Sequence, residues 1–166
     1  MQVERGLPGG RRDSVTNSVC HLLGLDWGPV MAQPFREEIR VPGAPEPVGV
    51  GTYAVRAGDL IFVQGFTAQD EHGYAVGGND AAAQARFALE KIGRCLEAAG
   101  ASFADVCKVT VFYRNIADRE AVNRVRREYF GSTRPASTAV EVSRLVKDDL
   151  LVEIEVVAVR PPAPEP

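Results

Sequence analysis

Two carboxylates, Glu153 and Glu155, stand two residues apart in the apolar segment Leu151–Val159. Side chains alternate along a strand, so Val152, Ile154, Val156 and Ala158 share one face, and Leu151, Glu153, Glu155, Val157 and Val159 share the other. Both faces read as covered. An ionised carboxylate removed from water without a partner costs several kcal/mol, so these two are paired, exposed at an edge, or lining a polar cavity in which a proton can be held or passed. Five arginines, Arg119, Arg124, Arg126, Arg127 and Arg134, crowd the region just upstream; a charged helix face is the simple reading, and a charge directed into a cleft the functional one. The remaining reactive residues form no pattern. Cys20 and His21 lie near the N-terminus and His72 in a glycine-containing loop, with no metal-site spacing and no catalytic triad motif. Cys95 and Cys107 read as inert core thiols.

The segment Pro135-Ala136-Ser137-Thr138-Ala139-Val140-Glu141-Val142-Ser143-Arg144-Leu145, followed by Val152-Glu153-Ile154-Glu155-Val156-Val157-Ala158, resembles the C-terminal signature of the Rid (YjgF-type, reactive-intermediate deaminase) family. Val109-Thr110-Val111-Phe112 and Val122-Asn123 are similar to its central strand and second helix. The resemblance runs from near Phe35 to Arg160. It implies a chorismate-mutase-like fold, trimers with ligand clefts between subunits, and activity on imines or enamines. It further implies that Glu153 orients an attacking water, that Tyr53 and Asn123 border the cleft, and that Gly65 lets ligand approach backbone. Each has a plainer account: a structural carboxylate, a residue at a subunit seam, a solvated helix position, a strand-ending turn. Glu155 is assigned to structure, and Glu141 to an exposed edge or the cleft rim.

The chain departs from the family at one point that bears on chemistry. Where imine-deaminating members carry an arginine that holds the substrate carboxylate, this chain has Ser137, and where many carry a cysteine it has Ala139. A guanidinium offers a flat pair of charge-assisted donors worth roughly 1.5–3 kcal/mol each, which one hydroxyl does not replace. Arg134, Arg56 and Arg114 are the sequence's candidates to supply the charge. Two functions follow. One is an enzyme that hydrolyses or tautomerises a small enamine- or imine-type intermediate other than the common 2-imino acids. The other is a non-catalytic trimer that binds a metabolite or a protein.

The elements that must position these residues are legible as α+β. Phe35–Val41 and Ala54–Gln64 read as strands, the latter turning at Ala57-Gly58-Asp59 into a hairpin. Ala85, Ala88, Leu89, Ile92, Leu96 and Ala99 recur at helical spacing between Asn79-Asp80 and Gly100. Asp105–Arg114 is a strand, Asp118 opens a helix with Val122, Val125 and Tyr129 on its apolar side, and two strands follow. The order is β-β-β-α-β-α-β-β, a mixed sheet with two helices on one face. The other face needs cover, and a homotrimer with inward-facing sheets supplies it.

At 166 residues and 45% hydrophobic the chain suits one domain, residues 35–160. The glycine- and proline-rich residues 1–34 read as a poorly ordered arm, with Met31 an alternative start, and the proline-rich residues 161–166 as a disordered tail. A net charge of −3 gives no field for nucleic acid or anionic membrane, and no segment is long enough to span a bilayer. Three widely spaced cysteines suit a reducing compartment, so the expected location is the cytoplasm. Neither a cofactor nor a metal is expected, and the expected partner besides further copies of the chain is a small-molecule substrate.

Overall fold

A computed structural model describes residues 35–47 and 49–160, so the expected arm and tail lie outside the described residues. Six strands and two helices occur in the expected order: β1 (Arg36–Glu38), β2 (Ala54–Ala57), β3 (Leu60–Thr67), α1 (Ala81–Ala98), β4 (Val106–Tyr113), α2 (Arg119–Phe130), β5 (Ala136–Glu141) and β6 (Val152–Val159). Short 3-10 turns precede β4 and α2.

Local chemistry accounts for the boundaries. Asp80 opens α1 by accepting hydrogen bonds from the Ala82 and Ala83 amides at 2.8 and 3.2 Å, and Gly100, at φ +75°, turns the chain away after it. Asp118 stands at the start of α2 as expected, but its side chain makes no capping bond. The side-chain cap falls instead on the preceding 3-10 turn, where Asn115 accepts from the Ala117 amide at 3.0 Å, and that turn winds directly into the helix. The β2–β3 hairpin turns at Gly58, whose φ of +59° suits a two-residue loop. The first strand is shorter than its sequence suggests: Arg36–Glu38 pair with β2, the Ile39 amide donates once more to the Ala54 carbonyl at 2.9 Å, and the regular strand goes no further.

The sheet order is β1-β2-β3-β6-β4-β5. All neighbours are antiparallel except β4 and β5, which run parallel because α2 carries the chain across between them. Helix α1 packs on β3, β6 and α2. Beneath the helices lie Ile61, Val63, Val109, Val111, Tyr113, Val152, Ile154, Val156 and Ala158, all buried.

The opposite face of β6, which the sequence reading assigns to cover by neighbouring copies, is open in the single chain. In the single chain Leu151, Glu153 and Val157 are half-buried and Val159 is exposed, and on the neighbouring β3 Phe62 retains 44% of its exposure. Two bulges bend this face. One in β3 lies between Val63 and Phe66, opposite β6; one in β4 lies between Val106 and Lys108. No helix of the described residues is long and apolar enough to cross a membrane.

Candidate functional site

Glu153 stands in the middle of β6, in register with Thr67 of β3 on one side and Phe112 of β4 on the other. The β3 bulge brings Gly65 beneath it. A Cβ on Gly65 would lie 2.0 Å from Glu153 Oε1, so a side chain there would have to push the carboxylate aside, and it is this close approach, not the glycine's backbone angle, that a substitution meets. The Glu153 carboxylate takes no hydrogen bond or ion pair from any described residue. Burial, and secondarily the charge of Glu155, push its pKa above the usual carboxylate value. Glu155 itself is exposed, at the edge of a shallow depression with Arg36, Glu38, Phe62 and Gln64.

A buried glutamine fixes the strand that carries Glu153. Gln84 of α1 donates to the Gly78 and Asp149 carbonyls at 2.8 and 2.9 Å, and its Oε1 accepts from the Leu151 amide at 2.8 Å. It thereby ties the start of the helix to the entry of β6. The sequence signal was a glutamine among the alanines on the buried side of α1.

A second group lies where α2 faces β5. Ser137 and Ala139 are in register with Val109 and Val111 of β4, and with Asn123 they line a pocket of about 880 Å³. Arg126 organises its wall. Its Nη1 donates to Asn123 Oδ1 at 2.9 Å and its Nη2 to Ser137 Oγ at 3.1 Å, while the ring of Phe130 lies 5.8 Å from the guanidinium. Arg119, Arg127 and Arg134 complete the basic lining. Asn123 and Arg126, three apart on one helix face, were adjacent by spacing alone, but the reach of Arg126 to Ser137 was not anticipated.

The other sequence candidates fall elsewhere. Tyr53 stacks on Phe66 with ring centroids 5.7 Å apart and planes at 29°. Its phenol pKa is raised, by burial first and then by Cys95, with Arg94 of α1 opposing. Arg56 pairs with Glu37. Arg114 is half-buried, and its Nε and Nη1 are buried without a hydrogen-bond partner among the described residues. Glu141, exposed at the edge, accepts from the Ile116 amide at 2.8 Å and secures the turn into α2. Cys95 is a core thiol as expected, but Cys107 is not: the β4 bulge turns it outward and it is exposed. Among the described residues, no three metal-ligating side chains gather.

One chain therefore carries two separate groups, Gly65 with Glu153 on the sheet and Asn123, Ser137 and Ala139 with Arg126 beside α2. Tyr53 keeps company with neither in the contacts it makes.

Residues 42–160 match the family described as Endoribonuclease L-PSP, and the chain belongs to that family, the one to which the Rid and YjgF-type proteins belong. The chain is 42% identical over 123 residues to a 3-aminoacrylate deaminase, RutC, of Acinetobacter baylyi, covering 74% of this chain and 97% of that one. It is 37% identical to a 2-iminobutanoate/2-iminopropanoate deaminase of Salmonella typhimurium, covering 74% and 96%. Among solved structures it superposes on a Rid-family protein of Yersinia pestis, YyfA, with a TM-score of 0.69 and 32% identity, over 75% of this chain and 98% of that one.

Proposed function

We propose that the chain hydrolyses a small imine or enamine at a cleft between subunits of a homotrimer. The observation that carries this reading is the Glu153 carboxylate, half-buried, unpartnered, raised in pKa and laid against a glycine that leaves its oxygen uncovered. Burial makes such a carboxylate a stronger base than an exposed one, suited to taking a proton and giving it back. In hydrolysis the carboxylate removes a proton from water as the water oxygen bonds to the carbon of a protonated imine. The proton then passes to nitrogen, and as the C–N bond breaks the carboxylate takes the proton of the new hydroxyl and hands it to the departing ammonia, leaving a carbonyl compound and ammonium. An enamine enters the same course once its β-carbon has been protonated.

The trimer is supported by the open sheet face and by the separation of the two groups, since a neighbouring copy can bring the Asn123–Ser137 pocket against the Glu153 side. The names of the deaminase relatives support the reaction class. Short 2-imino acids are poor substrates in this reading, because β5 presents the Ser137 hydroxyl where they need a guanidinium. The test is release of ammonia and oxo acid from freshly generated imines. Glu153→Gln should lower turnover roughly 10²-fold or more. Rates on iminoalanine equal to those of arginine-bearing relatives would refute the substrate assignment. Metabolite binding without turnover, indifferent to the amide, would favour a binding trimer instead.

A further inference from the structure

Arg126 carries a charge that no described carboxylate neutralises. Arg127 has Glu120 at 3.1 Å and Arg86 has Glu128 at 2.7 Å, whereas the groups around Arg126 are neutral: Asn123 and Ser137, which accept from its terminal nitrogens, and the buried Tyr113 phenol beside it, with no carboxylate among them. A half-buried cation in this condition is costly unless an anion completes it. Its two terminal nitrogens are each held by one bond and keep donors free in a fixed fork, the arrangement that suits a carboxylate. Arg119 and Arg134 on the same wall also have no ion-pair partner among the described residues, and no acidic side chain lines the pocket.

We infer that this pocket binds a ligand bearing two acidic groups, a dicarboxylate in class, with Arg126 anchoring one group and Arg119 and Arg134 receiving the other. The inference rests on the cleft reading above, because it names the substrate class of that site. Arg126 reaches Ser137 from α2 and not from the strand, so the anchor is set back from β5.

Calorimetry on the full chain tests this with two stable 2-oxo acids, 2-oxoglutarate with two carboxylates and 2-oxobutanoate with one. The expected result is at least tenfold tighter binding of 2-oxoglutarate. Arg126→Met should weaken it thirtyfold or more, and Arg126→Lys, which keeps the charge but not the fork, by an intermediate factor. Arg134→Met should weaken 2-oxoglutarate severalfold and leave 2-oxobutanoate unchanged. Arg144→Met, at an exposed position outside the pocket, controls for total charge and should change neither. Equal affinity for the two acids, an unaltered Arg126→Met, or Arg126-dependent binding of a decauridylate with neither acid bound would each overturn the inference. Imine turnover that depends on Glu153 but not on Arg126 refutes the pocket and spares the hydrolase; Arg126-dependent 2-oxoglutarate binding without Glu153-dependent turnover does the reverse.

Discussion

Glu153 lies so close over Gly65 that a methyl group there would meet its Oε1 at 2.0 Å. The β3 bulge makes the approach possible, since it sets Gly65 out of the regular ladder between Val63 and Phe66. Gly65→Ala must displace either the carboxylate or the bulge. Overpacking of this kind typically costs 1–3 kcal/mol. In a Glu153→Ala background the clash has no second partner, so the same substitution should cost much less. A double-mutant cycle read by denaturant unfolding measures the difference. Additive costs would show that the glycine serves the backbone and not the carboxylate.

The raised pKa of Glu153 has a defined sign in stability. The folded chain holds this proton at pH values where the unfolded chain has released it, so the favourable contribution is present below the usual value of 4.5 and is lost as pH rises through the folded-state value. At neutral pH the ionised group is a burden on the fold. Glu153→Gln should therefore raise Tm at pH 7, and the advantage should shrink as pH is lowered towards 4.5. Thermal unfolding across this range checks it; a gap that widens on acidification contradicts the assigned direction.

Gln84 links the two ends of this arrangement. Gln84→Leu keeps the volume but leaves the Gly78 and Asp149 carbonyls and the Leu151 amide without their partner, each buried polar group so stranded costing about 1–3 kcal/mol. We expect a loss of several kcal/mol in unfolding free energy. Exchange of the Leu151 amide should also accelerate, because Gln84 Oε1 is its acceptor.

What was legible in the sequence followed from local chemistry. The alanine and leucine spacing of α1, the Gly58 turn and the alternation in β6 each involve residues within a few positions of one another, so the element order could be read directly. The site residues depend on longer paths. Arg126 and Ser137 are joined across a helix end and a turn, Gln84 and Leu151 across most of the domain, and Gly65 meets Glu153 only because of a bulge that alternation does not reveal. Cys107 was misread for the same reason, since the β4 bulge puts it and Lys108 together on the outer side. The family resemblance supplied Glu153, Asn123 and Ser137 as positions, but not the arginine that Ser137 meets.

The open face of the sheet makes the trimer testable at one side chain. Phe62 keeps 44% of its exposure on β3, beside the half-buried Val157 of β6. Phe62→Glu sets a carboxylate where a neighbouring copy would seat, and the monomer should tolerate it because this exposed residue lies outside the buried core. The variant should retain its circular dichroism and sediment as a monomer, and the unaltered chain should sediment as a trimer. A monomeric unaltered chain at micromolar concentration would remove the shared cleft altogether.

Cys107 and Cys95 report on the same face by their reactivity. Burial pushes the Cys95 thiol up to about 12, so at pH 8 almost none of it is thiolate and α1 shields what there is. Cys107 is exposed in the single chain, with its Sγ 3.2 Å from the Val157 carbonyl on the uncovered side of the sheet. Iodoacetamide followed by peptide mass mapping should therefore label Cys107 and spare Cys95 in the native Phe62→Glu monomer. In the proposed trimer the neighbouring copies would cover Cys107 as well, so its labelling in the unaltered protein should be slower by an order of magnitude or more. Equal rates at Cys107 in the two forms would place the subunit contact on some other surface, because a thiol beside Val157 cannot stay open if that face is closed.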